Sequence, residues 1–209
     1  MKLTWYGHAC FLLETAEGSA VFDPYAPGSV PGLALPPLTA DAVFCSHGHS
    51  DHGCAEAVRL SGRQPAFRVT EIPCFHDGLR GALRGKNTIR VIEAEGRRVA
   101  HLGDLGHPLN PSQLGALGKI DVLLIPVGGH YTVDAKTASA IADGIGARLV
   151  VPMHYRGEGF GYEVIAPAED FLALRGEVLR LDTNSFDPDA IDGPATVVLK
   201  CPAAQADPE

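Results

Sequence analysis

Six consecutive residues, His47-Gly48-His49-Ser50-Asp51-His52, contain three imidazoles and a carboxylate directly after the apolar run Ala42–Cys45. Imidazole nitrogens and carboxylate oxygens are ligands of zinc and other first-row metals, whereas calcium and magnesium prefer oxygen throughout. The alternative is a solvated polar loop that is rich in histidine by chance. The density of donors at the end of a buried strand favours metal, so the motif predicts a metal-binding loop.

Length, charge and cysteine content restrict the class of protein. The 209 residues, 45% of them hydrophobic, suffice for one core, and we expect a single domain over 1–201 with a disordered tail over 202–209. A net charge of −8 argues against nucleic-acid and membrane partners. The five cysteines form no CxxC pair, and no apolar run reaches signal-peptide or membrane-span length, which predicts a cytoplasmic protein.

Short apolar runs separated by turn residues predict an α/β protein. Strands are expected at 2–7, 10–14 and 19–23, followed by a loop, Pro24 to Pro37, that contains five prolines. After the strand Ala42–Cys45, a short helix is expected at 53–60. Further strands are predicted at 67–75, 88–93, 99–102, 122–126, 149–152, 177–181 and 196–200. Two more helices are expected, one capped by Asp134 and one opened by Pro167.

Three further metal-ligand candidates each follow an apolar run. His76 follows Ile72–Phe75, Asp104 follows the run that begins at Val99, and His154 follows the run that begins at Leu149. Side chains carried at strand ends are held rigidly enough for a metal site. The sequence therefore predicts that these three residues join the loop 47–52 at one edge of a sheet.

These residues are similar to the five ordered motifs of the metallo-β-lactamase superfamily: Asp23, HxHxDH at 47–52, His76, Asp104 and His154. The resemblance covers about Lys2 to Tyr155. The segments 76–78, 84–88, 101–107, 126–129 and 152–155 also resemble the compact branch related to the ascorbate-6-phosphate lactonases. The resemblance implies a four-layer αββα sandwich with the metals at one edge of two facing sheets.

The resemblance further implies two divalent ions, most simply zinc, with manganese or iron as alternatives. One ion would be held by His47, His49 and His76, the other by Asp51, His52 and His154, and Asp104 would bridge them. His76 could instead lie outside the ligand sphere, because the third motif is often further from HxHxDH. Asp23 would accept the outward N–H of a ligand histidine, or would simply be a turn residue before Pro24.

Two ions that share a water generate hydroxide at neutral pH, which attacks an ester, lactone or phosphodiester. We therefore expect a metal-dependent hydrolase in which Asp104 and Asp51 are catalytic, Asp51 by orienting the water. Cationic candidates for binding a small anionic metabolite are Arg80, Arg84, Lys86 and Arg156, which could also be ordinary surface charges. Further lining candidates are His8, His107, His130, Tyr131, Thr132 and Tyr155. His101 is expected to be a core histidine.

Three alternatives remain open at this stage. A diiron redox protein of this fold would carry a carboxylate in place of His49 and an added flavin module. A thioester hydrolase or a persulfide oxygenase shares the HxHxDH motif. A non-catalytic metal-binding or regulatory module belongs to a different class, and the intact ligand set argues against it. The sequence does not indicate the oligomeric state.

Overall fold

The structure, a computed structural model, describes residues 1–202 as two sheets, a small parallel pair and three α-helices. Except for Pro202, the predicted tail lies outside the described residues. The strands are β1 Lys2–Trp5, β2 Phe11–Thr15, β3 Gly18–Phe22, β4 Leu38–Ala40, β5 Ala42–Phe44, β6 Val58–Leu60, β7 Arg68–Phe75, β8 Lys86–Ala94, β9 Arg97–His101, β10 Val122–Pro126, β11 Leu149–Met153, β12 Val178–Arg180, β13 Ser185–Phe186 and β14 Ala195–Val198. The helices are α1 Pro111–Leu117, α2 Ala135–Ile145 and α3 Ala168–Leu172.

The first sheet has the strand order β13-β1-β2-β3-β5. Strands β1 to β3 form the predicted antiparallel meander, and β5 joins β3 in parallel, with Phe22 opposite Phe44. Side chains of β2 alternate between the two faces, so that Phe11 and Leu13 join one apolar cluster and Leu12 joins another. The parallel β3–β5 pair places the ends of both strands, and the residues that follow them, at the same edge.

The second sheet has the order β12-β14-β11-β10-β9-β8-β7. Strands β9, β10, β11, β14 and β12 pair in parallel along the sheet, whereas β8 is antiparallel to both β7 and β9. Every residue of β10 and β11 is buried, as expected for parallel strands that are covered on both faces. This burial explains why both strands are continuous apolar runs in the sequence.

The two sheets face each other across one apolar cluster, which includes Trp5, Phe11 and Phe22 from the first sheet and Ile89 and Leu123 from the second. On the outside of the second sheet, α1 contacts β7, α2 contacts β10 and α3 contacts β11. These layers confirm the predicted α/β class. Within residues 1–202, no helix is both long and apolar enough to cross a membrane.

The outer layer over the first sheet is not helical, unlike the layer over the second sheet. Its buried apolar cluster comes from β2, β3, the proline-rich loop and the β4–β6 pair, with Tyr25 at its centre, and none of its buried members lies in an α-helix. The fourth layer that the αββα scheme assigns to helices is therefore built here from loop and short parallel strands.

One local prediction was wrong, and one helix was not predicted. The segment 53–60 is one 3₁₀ turn, Ala55–Ala57, followed by β6, because Val58 to Leu60 pair in parallel with β4. Helix α1 was not predicted, although Asn110 accepts the backbone N–H of Gln113 and the Gln113 side chain accepts that of Asn110. This reciprocal cap is a recognised helix start. In the first case, pairing with β4 outweighed the helical pattern of the local sequence. In the second, the helix is too short to give a clear periodic pattern.

Candidate metal centre

The predicted metal ligands lie together beyond the carboxyl ends of several strands. The loop 47–52 follows β5, His76 follows β7, Asp104 lies three residues after β9, and His154 follows β11. Asp23 follows β3, so both sheets contribute to the same edge. Parallel pairing of β3 with β5 and of β9, β10 and β11 brings strand ends of the same polarity side by side, and two successive antiparallel pairings through β8 give β7 the same direction as β9.

One group of possible ligands consists of His47, His49 and His76, whose nearest ring nitrogens lie within 4.8 Å of one another. Nε2 of His47 is 3.1 Å from Nδ1 of His49. His49 is exposed and His76 is buried, so this group opens toward solvent. Nε2 of His76 lies 3.2 Å from Oδ2 of Asp104. We call His47, His49 and His76 the outer half of the site.

A second group contains Asp51, His52 and His154, together with His8, again with one donor atom each within 4.8 Å of the others. Nε2 of His52 lies 3.2 Å from Oδ1 of Asp104, and Nε2 of His154 lies 3.3 Å from its Oδ2. We call Asp51, His52 and His154 the inner half. Asp104 therefore lies between the two halves, with a carboxylate oxygen close to imidazoles of each.

Buried polar atoms without partners test whether these residues fit a metal. Nε2 of His52, Nε2 of His154 and Oδ1 of Asp104 are buried and make no hydrogen bond within the described part of the chain. Leaving a buried polar atom without a hydrogen bond costs folding free energy. Both of these histidine nitrogens lie beside the Asp104 carboxylate. A divalent cation would satisfy all of them at once, so the donor set fits a metal.

The electrostatics of the inner half favour positive charge. Burial disfavours a charged His52, but the carboxylates of Asp104 and Asp23 outweigh this effect and hold the pKa of His52 well above its ordinary value. Burial likewise opposes ionisation of Asp104, yet His154 and His52 hold its pKa well below the ordinary value. In contrast, burial and the charge of His52 lower the pKa of His47 to about 4. A metal bound between these groups would replace the proton on His52.

Asp23 is buried against the inner half. Its Oδ2 accepts hydrogen bonds from Nδ1 of His52 at 2.8 Å and from the Ser46 hydroxyl at 2.6 Å, while Oδ1 accepts the Ser46 backbone N–H at 2.6 Å. The contact to His52 fixes that ring with Nε2 facing Asp104. A carboxylate in this position orients a metal-binding histidine and raises its basicity.

Two residues at the site carried weaker sequence signals. His8 was expected only to line the pocket, but its Nε2 lies 3.3 Å from Oδ2 of Asp51. Tyr162 was not singled out, and its hydroxyl lies 3.2 Å from the same oxygen while donating to the carbonyl of Ser29 at 2.6 Å. Tyr162 lies 111 residues from Asp51 in the chain, so only the tertiary fold reveals the contact.

Some substrate-lining candidates do reach the edge of the site. The guanidinium of Arg84 lies 5.4 Å from the ring centre of Tyr131, and that ring packs edge-on at 5.8 Å against Tyr162, which contacts Asp51. The exposed ring of His130 packs 4.5 Å from Tyr131. Arg80 is exposed on the same loop as Arg84.

Other candidates make contacts outside the ligand cluster. Tyr155 is buried in the main apolar cluster, 5.5 Å from the ring of Trp5, because the chain after β11 turns its side chain into the core. His107 uses both ring nitrogens on backbone: Nε2 accepts the N–H of Phe75 and Nδ1 donates to the carbonyl of Pro108. Arg156 donates to the Ile165 carbonyl, and Thr132 is buried.

Comparisons of sequence identify the family. The beta-lactamase superfamily domain model matches residues 2–154. A UPF0173 metal-dependent hydrolase from Methanoregula boonei is 33% identical over 189 residues, covering 74% of this chain and 82% of that protein. Another from Thermoplasma acidophilum is 29% identical over 212 residues, covering 85% of this chain and 92% of that protein.

Solved structures agree. A candidate Zn-dependent hydrolase of the metallo-β-lactamase superfamily from Thermotoga maritima is 34% identical, with a TM-score of 0.74 over 95% of this chain and 99% of that one. A metallo hydrolase from Ignicoccus hospitalis shares the fold at 21% identity, with a TM-score of 0.65 over 97% and 95% of the two chains. The predicted metallo-β-lactamase fold, with two mixed sheets, is confirmed. The chain belongs to the β-lactamase superfamily and, within it, to the UPF0173 family of metal-dependent hydrolases.

Proposed function

We propose that this protein holds two divalent metal ions and hydrolyses an ester, lactone or phosphodiester bond in a small anionic substrate. One observation carries the proposal. Asp104 lies between two groups of imidazoles, with Oδ1 near His52 and Oδ2 near both His76 and His154. A carboxylate whose oxygens contact imidazoles of both groups is the side chain suited to join two ions.

In this proposal the outer half holds one ion, the inner half holds the other, and Asp104 is shared. Zinc is the metal we favour, since imidazole and carboxylate donors suit it and the similar protein from Thermotoga maritima is described as Zn-dependent. Two such ions would supply an activated water and polarise the electrophilic centre of the substrate. The metal dependence of the related hydrolases supports the same chemistry.

Asp51 is the residue we assign to proton handling. Burial alone would raise its pKa, but the hydrogen bond from His8 and the charge of His52 bring the pKa below its ordinary value. Asp51 is therefore ionised at neutral pH and can accept a hydrogen bond from the attacking water, which it would orient. Geometry supports this role, because the carboxylate is only partly buried and belongs to the inner half.

Arg84 is the residue we assign to the anionic group of the substrate. It makes no ion pair with any carboxylate within the described residues, and its guanidinium is held against Tyr131. Its backbone N–H donates to the Asp77 carboxylate, next to His76, so the loop that carries it is fixed to the site. A cation without a partner beside a metal centre suits a phosphate or carboxylate.

A phosphorylated lactone is the first substrate to test, because the motifs resemble those of the ascorbate-6-phosphate lactonase branch. The screen should include neutral lactones, phosphodiesters and thioesters. Oxygen uptake should be measured in parallel, since uptake instead of hydrolysis would indicate a persulfide oxygenase. Turnover of no ester under any metal would favour a binding or regulatory module.

The decisive experiment is metal analysis of protein purified without chelators, followed by that screen. We expect two ions per chain, and loss of turnover in Asp104→Ala and His49→Ala. His107→Gln is the matched control, since both ring nitrogens of His107 bond to backbone and its ring packs near Phe75, and this variant should retain both ions. Fewer than one ion per chain after reconstitution, or full activity in either ligand variant, would contradict the proposal.

A further inference from the structure

His8 is held in an unusual backbone position at the edge of the site. It follows β1 in the tight turn Tyr6–Cys10 and has a left-handed φ of 50°. Its carbonyl accepts both the indole N–H of Trp5 at 3.0 Å and the backbone N–H of His154 at 3.1 Å. A non-glycine residue in this conformation costs energy, and the two hydrogen bonds hold it there.

The ring of His8 is buried among the residues of the inner half. Its centre lies 4.0 Å from that of His154 and 4.9 Å from that of His52. Nε2 faces Oδ2 of Asp51 at 3.3 Å, whereas Nδ1 is buried without a partner in the described structure. The ring therefore has one polar contact, and that contact is Asp51.

These contacts select one tautomer. A neutral imidazole has one N–H, and placing it on Nε2 makes a hydrogen bond to a carboxylate and leaves only a bare acceptor buried at Nδ1. The other tautomer would place the Nε2 lone pair against Oδ2 and bury an N–H without an acceptor. Binding a metal through Nε2 would likewise leave the N–H on Nδ1, buried without an acceptor. The geometry therefore makes His8 a donor to Asp51.

Tyr162 does not compete for this role. Its hydroxyl lies 3.2 Å from Oδ2 of Asp51, but it is closer, at 2.6 Å, to the carbonyl of Ser29. A phenol has one proton, and the shorter contact takes it. Among the described residues, His8 is thus the one whose side chain donates a hydrogen bond to the carboxylate of Asp51.

We propose that His8 is a positioning residue: its Nε2–H holds Oδ2 of Asp51 and thereby sets the orientation of that carboxylate toward the inner metal. The inference rests on the proposed function, because it assumes an ion in the inner half. It assigns to His8 neither ligation nor contact with substrate. Its role is to fix a ligand that would otherwise rotate in a half-open position.

Two amide variants separate this role from a purely structural one. In His8→Gln the amide nitrogen reaches about as far as Nε2, whereas in His8→Asn it reaches only as far as Nδ1. Asn adopts positive φ more readily than Gln. If only the backbone turn mattered, Asn would be the better replacement. If the contact to Asp51 matters, Gln will be.

The readout is stepwise binding of Co²⁺ and Zn²⁺ to the metal-free full chain. Calorimetry measures the binding of both ions, and visible absorption monitors the coordination of Co²⁺. We expect wild type to bind two ions. His8→Asn should bind the first normally and the second 10–100-fold more weakly, the usual effect of losing an outer-sphere partner of a ligand. His8→Gln should recover most of this loss.

A double-mutant cycle with Asp51→Asn completes the test. If His8 acts through Asp51, adding His8→Asn to Asp51→Asn should weaken the second ion no further. Equal binding by wild type and His8→Asn, better binding by Asn than by Gln, or additive losses would overturn the inference while leaving the two-metal proposal intact. Loss of a nitrogen ligand in the Co²⁺ spectrum of His8→Gln would show ligation and overturn it as well. A wild type that binds one ion would overturn both.

Discussion

The inner and outer halves of the site differ in how firmly the protein holds them. In the inner half, His52 and His154 are fully buried, Asp23 holds the ring of His52, and His8 contacts the carboxylate of Asp51. In the outer half, His49 is exposed and its ring contacts other site histidines. Since the side chains of His47 and His76 are largely buried, the outer half opens to solvent through His49.

This difference predicts which half governs metal affinity and which governs substrate affinity. Buried donors with fixed orientation bind a metal tightly, since the protein has already ordered them. The outer half opens toward solvent at His49, and the loop that follows His76 carries Arg84. We therefore expect metal affinity to be determined mainly by the inner half, and substrate affinity by the surroundings of the outer half.

The largest effect should come from Asp104, which both halves share. Asp104→Asn preserves shape but replaces one ligand oxygen with an amide nitrogen and removes the charge that holds the histidines together. We expect loss of both ions from gel-filtered protein and loss of turnover, measured by elemental analysis and the substrate screen. Retention of the inner ion alone would show that the halves are independent and that Asp104 does not join them.

A smaller and one-sided effect is expected at Asp23. In Asp23→Asn, an amide replaces one of the oxygens that accept from His52 and Ser46, so the inner ion should bind about 10–100-fold more weakly while the outer ion is retained. Asp41→Asn is the matched control, because Asp41 also accepts serine hydrogen bonds but lies between β4 and β5, at the opposite end of β5 from the loop 47–52. Equal loss of both ions would contradict the division between the halves.

Much of the site is readable from sequence because its donors follow strands. His76, Asp104 and His154 each come after an apolar run, and parallel strands deliver such residues to one edge. The hexapeptide 47–52 adds donors to both halves. His8 and Tyr162 carry no comparable pattern, since their roles depend on a turn and on a loop whose positions only tertiary packing determines.

Prediction of the fold from the sequence is limited in the same way. The long buried strands β10 and β11 were predicted because their burial on both faces demands continuous apolar sequence. The pair β4–β6 was missed because three residues are too few for a periodic signal, and the pairing partner lies 20 residues away. Tyr155 was expected to line the pocket, but after the positive φ at His154 its side chain lies in the main apolar cluster.

Asp77 should affect substrate binding more than metal binding. Its carboxylate accepts the N–H groups of Leu79, Gly81, Leu83 and Arg84, and these contacts, against the opposing effect of burial, lower its pKa to about 2. An amide cannot accept all four bonds, so Asp77→Asn should loosen the loop that carries Arg84. We expect a KM for anionic substrates raised about tenfold, near-normal kcat and two retained ions.

The low pKa of Asp77 also gives this prediction a pH signature. Because the folded value lies below the usual value of about 3.9, the carboxylate stabilises the fold fully above pH 4 and loses this effect as pH falls toward 2. The difference in unfolding free energy between wild type and Asp77→Asn, measured on metal-free protein, should shrink over that interval. A constant difference would show that charge on Asp77 is irrelevant.

The smallest effect is expected at Tyr155, which follows the inner-half ligand His154 but packs away from it. Its hydroxyl makes no hydrogen bond within the described residues, and its ring packs against Trp5 and Phe160. Tyr155→Phe should therefore change stability by about 0.5 kcal/mol or less and leave metal content, KM and kcat unchanged. Tyr162→Phe is the informative partner, because it removes the hydroxyl that contacts Ser29 and Asp51 and should alter kcat. A raised KM in Tyr155→Phe alone would mean that this hydroxyl reaches the substrate and that the inner half is more open than its burial indicates.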